Sequence, residues 1–324
     1  RVPMAEADPV RIAEREPEPM LAFTFRRVLV ALAVAFTVSV ASFLLLHLSG
    51  DLATAIAGPE ATGPQIAQIR QDYGLDQPLL TQFLTWGWRA LHLDFGNSFY
   101  FRESVIDLLA ARLPITLYLG IIALAVALFV AIPLGVVAAV KRDTWIDRTA
   151  LAVSVLGQAM PSFWFGLTLI LIFSVNLRWL PVSGNATWKN FVLPAVALGY
   201  YAMPAVMRLT RNGMLEVLAS DYVRTARAKG LPPRKILVRH ALRNAVIPVI
   251  ALSAVQFGFM LGGSIVIEAV FSLQGLGQLA WESIARNDFP VVQAIVLVLA
   301  LIYIGLTLAA DLLNAFLDPR LRQS

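Results

Sequence analysis

Few side chains in this sequence have the types and spacings that reaction chemistry needs. Cysteine is absent, which excludes disulfides, thiolate nucleophiles and cysteine-bound zinc or iron–sulfur sites. The three histidines, His47, His92 and His240, lie far apart, and no HExxH spacing joins them, so no metal site is predicted. The sequence contains neither a GxxxxGK[ST] phosphate-binding loop nor a GxSxG nucleophile motif. We therefore expect a chain that is not an enzyme and holds no cofactor of its own.

The composition is a poor fit to a soluble globular fold. Of 324 residues, 58% are hydrophobic and only 15% are charged, whereas about a quarter are charged in typical soluble domains. Six apolar runs are long enough, or nearly so, to cross a bilayer core of about 30 Å as helices. They cover residues 28–48, 115–140, 150–175, 191–207, 245–267 and 291–316. The sequence thus predicts an all-α membrane protein with six transmembrane helices.

The fourth run is the weakest of the six, because Pro194, Gly199 and Pro204 interrupt it. It carries no charge, however, and a broken helix is tolerated in a membrane when neighbours satisfy its backbone. With six spans, 19 Lys and Arg residues lie on the side of both termini and 7 on the other side. Since basic residues favour the cytoplasmic side, both termini are predicted to face the cytoplasm.

The chain is predicted to divide into two parts. Residues 1–25, rich in Glu, Pro and Arg, are predicted to form a disordered cytosolic tail. Residues 26–324 are predicted to form one six-helix membrane domain. Within it, residues 49–113 form an extracytoplasmic segment that we expect to fold as small helices on the outer surface.

The cytoplasmic loop 208–243 is the most distinctive segment, with nine basic residues and two acidic ones. Apolar residues recur there at spacings of three and four and predict an amphipathic helix over 214–228. These apolar residues are Leu215, Leu218, Tyr222, Val223 and Ala226. Gly230 is expected to end that helix, and Pro232 and Pro233 to begin a second one over 234–241. A bent pair of helices between two spans would let a partner protein push on both spans. The basic, amphipathic pattern also fits a segment that lies on anionic lipid headgroups.

Two stretches of this loop carry a family resemblance. DYVRTARAKG at 221–230, followed by HALRNAVIPV at 240–249, resembles the cytoplasmic coupling motif of ATP-binding-cassette importer permeases. The general motif has Glu-Ala-Ala, then three further residues, and then Gly. This chain has Arg224, Thr225 and Ala226 at the first three positions and retains the glycine as Gly230. Arg243 stands where the general motif has proline. Both departures are typical of the dipeptide, oligopeptide, nickel and glutathione class.

Further marks of that class follow in order along the chain. They are GLDQPLLTQF at 74–83, LDFGNSF at 93–99, RLPITL at 112–117, WLPVSG at 179–184, LGGSIVIEAVFSLQGLG at 261–277 and DPR at 318–320. The resemblance therefore covers nearly the whole chain after Arg26. It implies that the loop between spans 4 and 5 is a coupling-helix loop.

The resemblance also implies a bacterial inner-membrane location, a function and partners. The chain would be one permease subunit of an ATP-driven importer, paired with a second permease, two cytoplasmic ATPases that use ATP and Mg²⁺, and an extracytoplasmic binding protein. Peptides such as dipeptides, oligopeptides or glutathione are the expected substrates, with nickel chelates as an alternative. Membrane lipid is an expected contact and nucleic acid is not. An ion-coupled secondary transporter is a second alternative, yet no run carries a carboxylate or histidine at its centre.

Three groups of residues are predicted to be functional. By resemblance, the ATPase-coupling residues are Asp221, Tyr222, Arg224, Thr225, Ala226, Ala228, Lys229, Gly230 and Leu231. Candidates for the transport pathway are Gln158, Met160, Pro161, Phe163 and Glu268. The outer loop residues that resemble the surface facing the binding protein are Leu273, Gly275, Leu276 and Gly277.

Plainer interpretations compete with several of these assignments. The stretch around Pro161 is also what a simple kink requires, and the glycines of the outer loop are also what a turn requires. Glu268 is expected to face a cavity, a subunit interface or the headgroup level, since a carboxylate facing lipid is costly. Gly258 and Gly262 form a small-xxx-small pair that serves either a subunit interface or packing within the chain. Asp311 is expected to pair with a basic residue.

Overall fold

The computed structural model describes residues 20–48, 50–58 and 61–317. Within these ranges the regular structure is helical, apart from a single antiparallel bridge between Asn97 and Ser104. The helices are α1 Met20–Leu48, α2 Leu52–Ala57, α3 Gly63–Asp72, α4 Leu79–Leu91, α5 Val105–Val140, α6 Trp145–Ala159, α7 Ser162–Leu169, α8 Lys189–Gly199, α9 Met203–Leu218, α10 Asp221–Ala228, α11 Pro233–Lys235, α12 Arg243–Ala245, α13 Ile247–Phe271, α14 Leu276–Ala285 and α15 Phe289–Leu317, with π-helices at Ile170–Asn176 and Ile236–Leu242. The all-α prediction is confirmed for this part of the chain.

Four helices, α1, α5, α13 and α15, are long and apolar enough to cross a membrane. A fifth crossing results if α8 and α9, which are bent by 62° at the break between them, count as one span. That break lies inside the predicted fourth run, next to Gly199 and Pro204. The count of six spans stays a prediction, because the third run is divided into shorter helices.

The predicted third run, 150–175, is interrupted at the proline-containing stretch that the sequence marks within it. Helix α6 ends at Ala159, α7 begins at Ser162, and a π-helix completes the run from Ile170 to Asn176. Pro161 adopts an extended conformation, with φ of −61° and ψ of 135°. Proline has no N–H to donate to the preceding turn and also disfavours helical geometry at the residue before it, here Met160, so the helix stops.

Two helices begin earlier than the apolar runs suggest. Helix α1 starts at Met20, so residues 20–25 of the predicted tail are helical, while residues 1–19 lie outside the described ranges. Arginine is a good helix former, and Arg26 and Arg27 therefore do not interrupt α1. Helix α5 starts at Val105, where Val105, Leu108 and Leu109 are buried against α14 and α15. Helix propensity thus carries α1, and tertiary packing carries α5, beyond their apolar runs.

The centre of the fold is α5. It packs against α8, α9 and α13, and its buried Leu119, Ala123 and Ala127 share one hydrophobic cluster with residues of α8 and α13. On the other side of the molecule α15 packs against both α1 and α13. This arrangement leaves much of α1 and one side of α5 exposed, as expected for helices in contact with lipid.

Two of the plainer interpretations are resolved by contacts within the chain. A side chain at Gly258 would collide with the ring of Tyr303 on α15, so this glycine serves packing within the chain. Gly262 has nothing near its Cβ position. Asp311 pairs with Arg27 of α1 at 3.0 Å, which confirms the expected ion pair.

Candidate functional site

The segment 219–242 forms a compact unit that we call the knob. It consists of α10, a turn at Gly230, α11 and the π-helix Ile236–Leu242. The predicted single helix over 214–228 is wrong, because α9 ends at Leu218 and α10 begins at Asp221. Ser220 is extended and its hydroxyl donates to the Val217 carbonyl at 2.6 Å, which breaks the helix between the two.

The predicted turn at Gly230 is confirmed. Gly230 has a φ of +72°, a conformation that side chains with a Cβ disfavour. The amide of Gly230 donates to the Arg227 carbonyl at 2.9 Å, and that of Leu231 donates to Ala226 at 3.3 Å. This is a Schellman pair, in which the last carbonyls of a helix are satisfied by the two residues that follow it. The second predicted helix, over 234–241, is present mostly as a π-helix.

The apolar face of the knob packs inside the knob itself. Val223, Ala226 and Ile236 are buried together, with Val217, Leu218 and Leu231 packed around them. Tyr222 is the exception among the predicted apolar residues, since it is exposed and its hydroxyl accepts a hydrogen bond from Asn244 at 2.9 Å. A helix lying on lipid needs its apolar face outward. The internal packing therefore argues against the lipid-headgroup interpretation of this loop.

The predicted coupling residues divide by exposure. Seven of them are exposed, namely Asp221, Tyr222, Arg224, Thr225, Ala228, Lys229 and Gly230. Leu231 is half-buried and Ala226 is buried in the centre of the knob. Ala226 therefore lies in the core of the knob and not on its surface, and its small side chain lets α10 approach Ile236. The exposed surface left by the others is polar and basic.

A buried ion pair joins the helix that leads into the knob to α6, and the sequence analysis missed it. Arg211 of α9 donates from Nε to Oδ1 and from Nη2 to Oδ2 of Asp147, both at 2.7 Å. The Asp147 side chain is only 3% exposed, and its Oδ2 also accepts from the Asp143 amide at 3.0 Å. Asp147 precedes the apolar run that begins at residue 150. The hydrogen bonds from Arg211 hold the pKa of this carboxyl below its usual value.

No local pattern could have revealed this pair, because its members are 64 residues apart. The sequence offers one signal: an acidic residue lies just before the run 150–175, and a basic residue lies just after the neighbouring run 191–207. Bidentate geometry makes such a pair strong and directional. The pair therefore holds α6 to α9, the helix that leads into the knob.

Three of the predicted pathway residues lie together. Gln158, Met160 and Pro161 line a cavity of about 360 Å³ between the break that follows α6 and the break that follows α8. Residues that the sequence analysis missed, Tyr201 and Gln256, line the same cavity. Phe163 is exposed and does not line it. The two helix breaks thus meet at one largely apolar cavity, to which Gln158, Tyr201 and Gln256 contribute polar groups.

Glu268 is not a pathway residue in this structure, and its expected exposure to a cavity or to headgroups is wrong. It is fully buried, and its Oε1 accepts from the Thr116 hydroxyl at 2.8 Å. Its Oε2 accepts from the amides of Gly277 at 2.7 Å and Gln278 at 3.1 Å. The carboxylate therefore connects the end of α13 to α5 and to the first turn of α14.

The predicted binding-protein-facing residues are buried as well, so that assignment is corrected. Leu273, Gly275, Leu276 and Gly277 all lie inside the chain. A Cβ at Gly275 would collide with the Glu268 carboxylate, and one at Gly277 would lie 2.5 Å from the Ile265 Cα. These glycines allow the loop to fold over Glu268. The side chains that the loop exposes are its neighbours Ser272 and Gln274.

A second buried carboxylate orders the adjacent surface. Asp288 is buried between α14 and α15; the Ser98 hydroxyl donates to it, as do the amides of Phe99 at 3.1 Å and Tyr100 at 3.3 Å. The Arg286 guanidinium lies 4.1 Å from the centre of the Tyr100 ring. The LDFGNSF segment and the loop before α15 are thereby held as one surface.

These features define a polytopic helical membrane component with an exposed, internally packed knob. The family described as binding-protein-dependent transport system inner membrane component matches residues 131–323. Its N-terminal counterpart, described as binding-prot-dependent transport system membrane comp, N-term, matches residues 20–120. The chain belongs to this family, and it is a multi-pass inner-membrane transport component.

Curated relatives and solved structures agree with this assignment. The chain is 42% identical to the glutathione transport system permease protein GsiC of Escherichia coli (strain K12), over 94% of this chain and 99% of that one. It has the same identity and coverage with GsiC of Salmonella choleraesuis (strain SC-B67). Inward-facing structures of the MetNI methionine ABC transporter share the fold, with TM-scores of 0.55 and 0.56 at 21% and 20% identity. They cover 65% and 66% of this chain and 96% and 97% of theirs.

Proposed function

We propose that this chain forms half of the translocation pathway of an ATP-driven importer for peptides or glutathione-like compounds. The observation that carries the proposal is the knob, because it presents a basic exposed surface on a rigid, internally packed unit between two membrane helices. Hydrolysis of ATP, with Mg²⁺, belongs to two partner ATPases that contact this surface. A second, homologous permease supplies the other half of the pathway, and this chain itself catalyses no reaction.

The contacts of the knob support a mechanical role. On one side it continues through the π-helix and α12 into α13, and on the other it follows α9 directly. Met214 of α9 is buried with Ala241 and Ala245 at the base of the knob, together with Ala139 of α5. The ion pair between Asp147 and Arg211 adds α6 to this unit. A displacement of the knob would therefore move α6, α9 and α13 together rather than bend a loose loop.

We propose six membrane crossings with both termini in the cytoplasm. The third crossing would run from residue 150 in α6 through α7 and the following π-helix. The fourth would consist of α8 and the first part of α9, up to residue 207. The excess of basic residues on the side of the knob favours this orientation. The two broken crossings meet at the cavity lined by Gln158 and Met160. Irregular backbone at membrane depth is tolerated where it lines a cavity, which favours this space as part of the pathway.

An extracytoplasmic binding protein would dock on the opposite side. The surface ordered by Asp288 exposes aromatic and basic groups at Tyr100, Trp281 and Arg286. Aromatic and arginine side chains dominate the energetics of many protein interfaces. These residues replace the buried Leu273, Gly275, Leu276 and Gly277 as contact candidates.

The substrate class rests on the relatives rather than on the cavity. Both GsiC proteins are named for glutathione transport, and glutathione is a small peptide. We therefore propose glutathione or a short peptide as the substrate, with a nickel chelate as the alternative. Competition of unlabelled peptides and nickel chelates against labelled glutathione uptake in vesicles ranks these candidates.

Charge reversal on the knob tests the proposal. In Arg224→Glu an exposed basic side chain becomes acidic, so we expect loss of ATPase subunits that copurify with the tagged chain and loss of ATP-driven uptake. The matched control is Arg148→Glu, which makes the same change at an exposed residue outside the knob. Equal ATPase recovery from Arg224→Glu and the control would contradict a coupling role for this surface.

A further inference from the structure

The helix α4, in the outer segment 49–113, has two unlike sides. Thr81, Gln82, Thr85 and Arg89 lie on one side and line a cavity between α1 and the start of α15. The rest of the helix is apolar, and no residue of α4 is buried. An amphipathic helix in a soluble domain would bury its apolar side. Here that side is divided between a contact with α1 and an open surface.

The contact with α1 fixes the depth of α4. The ring of Phe83 lies 5.4 Å from that of Phe43 and 6.0 Å from that of Phe36. His47 also lies 2.9 Å from the Gln82 side-chain oxygen. At about 1.5 Å per residue, Phe43 and Phe36 lie about 7 Å and about 18 Å along the helix from the outer end of α1 at Leu48. Helix α4 therefore crosses α1 below the outer end of a membrane-crossing helix.

The open side of α4 is a continuous apolar stripe. Leu80, Leu84, Trp88 and Leu91 recur at helical spacing and are 69%, 61%, 67% and 79% exposed. The stripe contains no charge or amide. It adjoins the exposed apolar side of α1, which includes Leu32 and Phe36. A side chain exposed at this depth, next to the lipid-facing surface of a membrane helix, meets acyl chains rather than water.

We propose that α4 is an interfacial helix that lies in the outer leaflet of the bilayer, with its leucine and tryptophan stripe among the phospholipid acyl chains. Its threonines, Gln82 and Arg89 then face the cavity behind it, away from the acyl chains. Tryptophan is enriched at the boundary between acyl chains and headgroups, as expected for Trp88 near the end of the helix. The inference needs only that α1 crosses the membrane, and it does not depend on the ATPases, the binding protein or the substrate.

Phospholipid fits the stripe better than a protein partner does. A binding protein approaches from the aqueous side and would reach only the headgroup level, whereas Phe83 lies within about 6 Å of two rings inside the apolar run of α1. The polar side of α4, the side that would suit a soluble partner, faces the cavity instead. The expected occupant is thus the lipid that already surrounds α1.

The absence of cysteine makes a direct test possible. Single variants Leu80→Cys, Leu84→Cys, Trp88→Cys and Leu91→Cys are spin-labelled in the full chain, assembled with its partners, in phospholipid vesicles. Collisions of the label with oxygen and with a water-soluble nickel complex are then compared. Thr85→Cys and Arg89→Cys are the controls on the polar side of the same helix. Phe129→Cys on the exposed side of α5 calibrates lipid, and Thr144→Cys, exposed in the loop between α5 and α6, calibrates water.

We expect the ratio of oxygen to nickel collisions to be several-fold higher at the four stripe positions than at positions 85 and 89. It should approach the value at Phe129 and vary with a period near 3.6 residues. A ratio at the stripe equal to that at Thr144 would overturn the inference, because the stripe would then face water. Low collision with both reagents, together with a cross-link to another chain, would also overturn it in favour of a protein partner. Neither result bears on ATPase copurification, so the proposed function is tested separately.

Discussion

The knob and α4 are both amphipathic segments between apolar runs, yet they use their apolar sides in opposite ways. The knob buries Val223, Ala226 and Ile236 within itself and exposes its charges. Helix α4 exposes Leu80, Leu84 and Trp88 and directs its polar side to an internal cavity. Periodicity in a sequence shows that a face is apolar, but it does not show what covers that face. The covering depends on the neighbours that tertiary packing supplies.

This difference has a mechanical meaning. A unit that is packed internally keeps its shape when a partner presses on it, which is what transmission of force to α9 and α13 requires. A helix whose apolar side rests on lipid has no such core and owes its position to the bilayer and to its contact with α1. We therefore expect substitutions in the knob to affect folding and coupling, and substitutions on the stripe of α4 to affect neither in detergent.

The largest effect is expected at the base of the knob. Asp147→Ala leaves the half-buried Arg211 without its partner, which costs more than the ~1 kcal/mol of an exposed pair and up to about 3–5 kcal/mol, the cost for a fully buried one. We expect a large drop in the unfolding temperature of the purified chain in detergent. Replacing both members, with Asp147→Leu and Arg211→Met, should recover most of the loss because no unpaired charge remains. A loss of unfolding free energy below about 1 kcal/mol, the range of exposed pairs, would contradict the claim that this pair holds α6 to α9.

The same pair predicts a pH dependence. The pKa of Asp147 is lowered in the folded state by the hydrogen bonds from Arg211. A carboxyl of this kind contributes its stability above its unfolded-state pKa and loses it as the pH falls through the folded-state value. The wild-type chain should therefore lose stability on acidification more steeply than the variant with both charges replaced. Parallel unfolding curves of the two proteins against pH would contradict the expectation.

A smaller effect is expected in the core of the knob. Ile236→Ala removes a buried side chain that packs on Val223, at a cost of about 2–4 kcal/mol to local stability. Hydrogen exchange of the α10 amides should accelerate accordingly. Leu84→Ala on α4 is the comparison, with an expected change within about 0.5 kcal/mol in detergent because the residue is exposed. Equal acceleration of local exchange in the two variants would remove the distinction between the regions.

The smallest effect is expected at the turn. Gly230→Ala places a Cβ in the left-handed conformation, and since nothing lies within 4 Å of that Cβ, only backbone strain of about 1–2 kcal/mol remains. Gly230→Asn should cost less, since asparagine tolerates this conformation. Gly262→Ala, in a helix and also with open space at its Cβ, should not destabilise. Hydrogen exchange at the turn checks the order, and a neutral Gly230→Ala would show that the turn is not strained.

The sequence was sufficient for the features that depend on local chemistry. Long apolar runs predicted α1, α5, α13 and α15, and Gly230 with Pro232 and Pro233 predicted the turn in the knob. The predictions failed where contacts distant in sequence decide the outcome. The sequence alone places Glu268 at a cavity, a subunit interface or the headgroup level, and the glycines after α13 on the outer surface. Nothing local shows that Thr116, 152 residues away, lies beside Glu268. The pairing of Asp147 with Arg211 was missed for the same reason.

The central claim is that the knob docks an ATPase through its exposed side while its apolar side stays inside, and two alanines of α10 test it directly. Ala228 is exposed and Ala226 is buried, so Ala228→Cys and Ala226→Cys make the same substitution on opposite sides of one short helix. Each cysteine is modified with a maleimide photo-cross-linker in membranes that contain the whole importer. We predict efficient modification and an ATPase adduct only at position 228. Equal reactivity at both positions, or adducts at position 228 that contain lipid and no ATPase, would contradict the account.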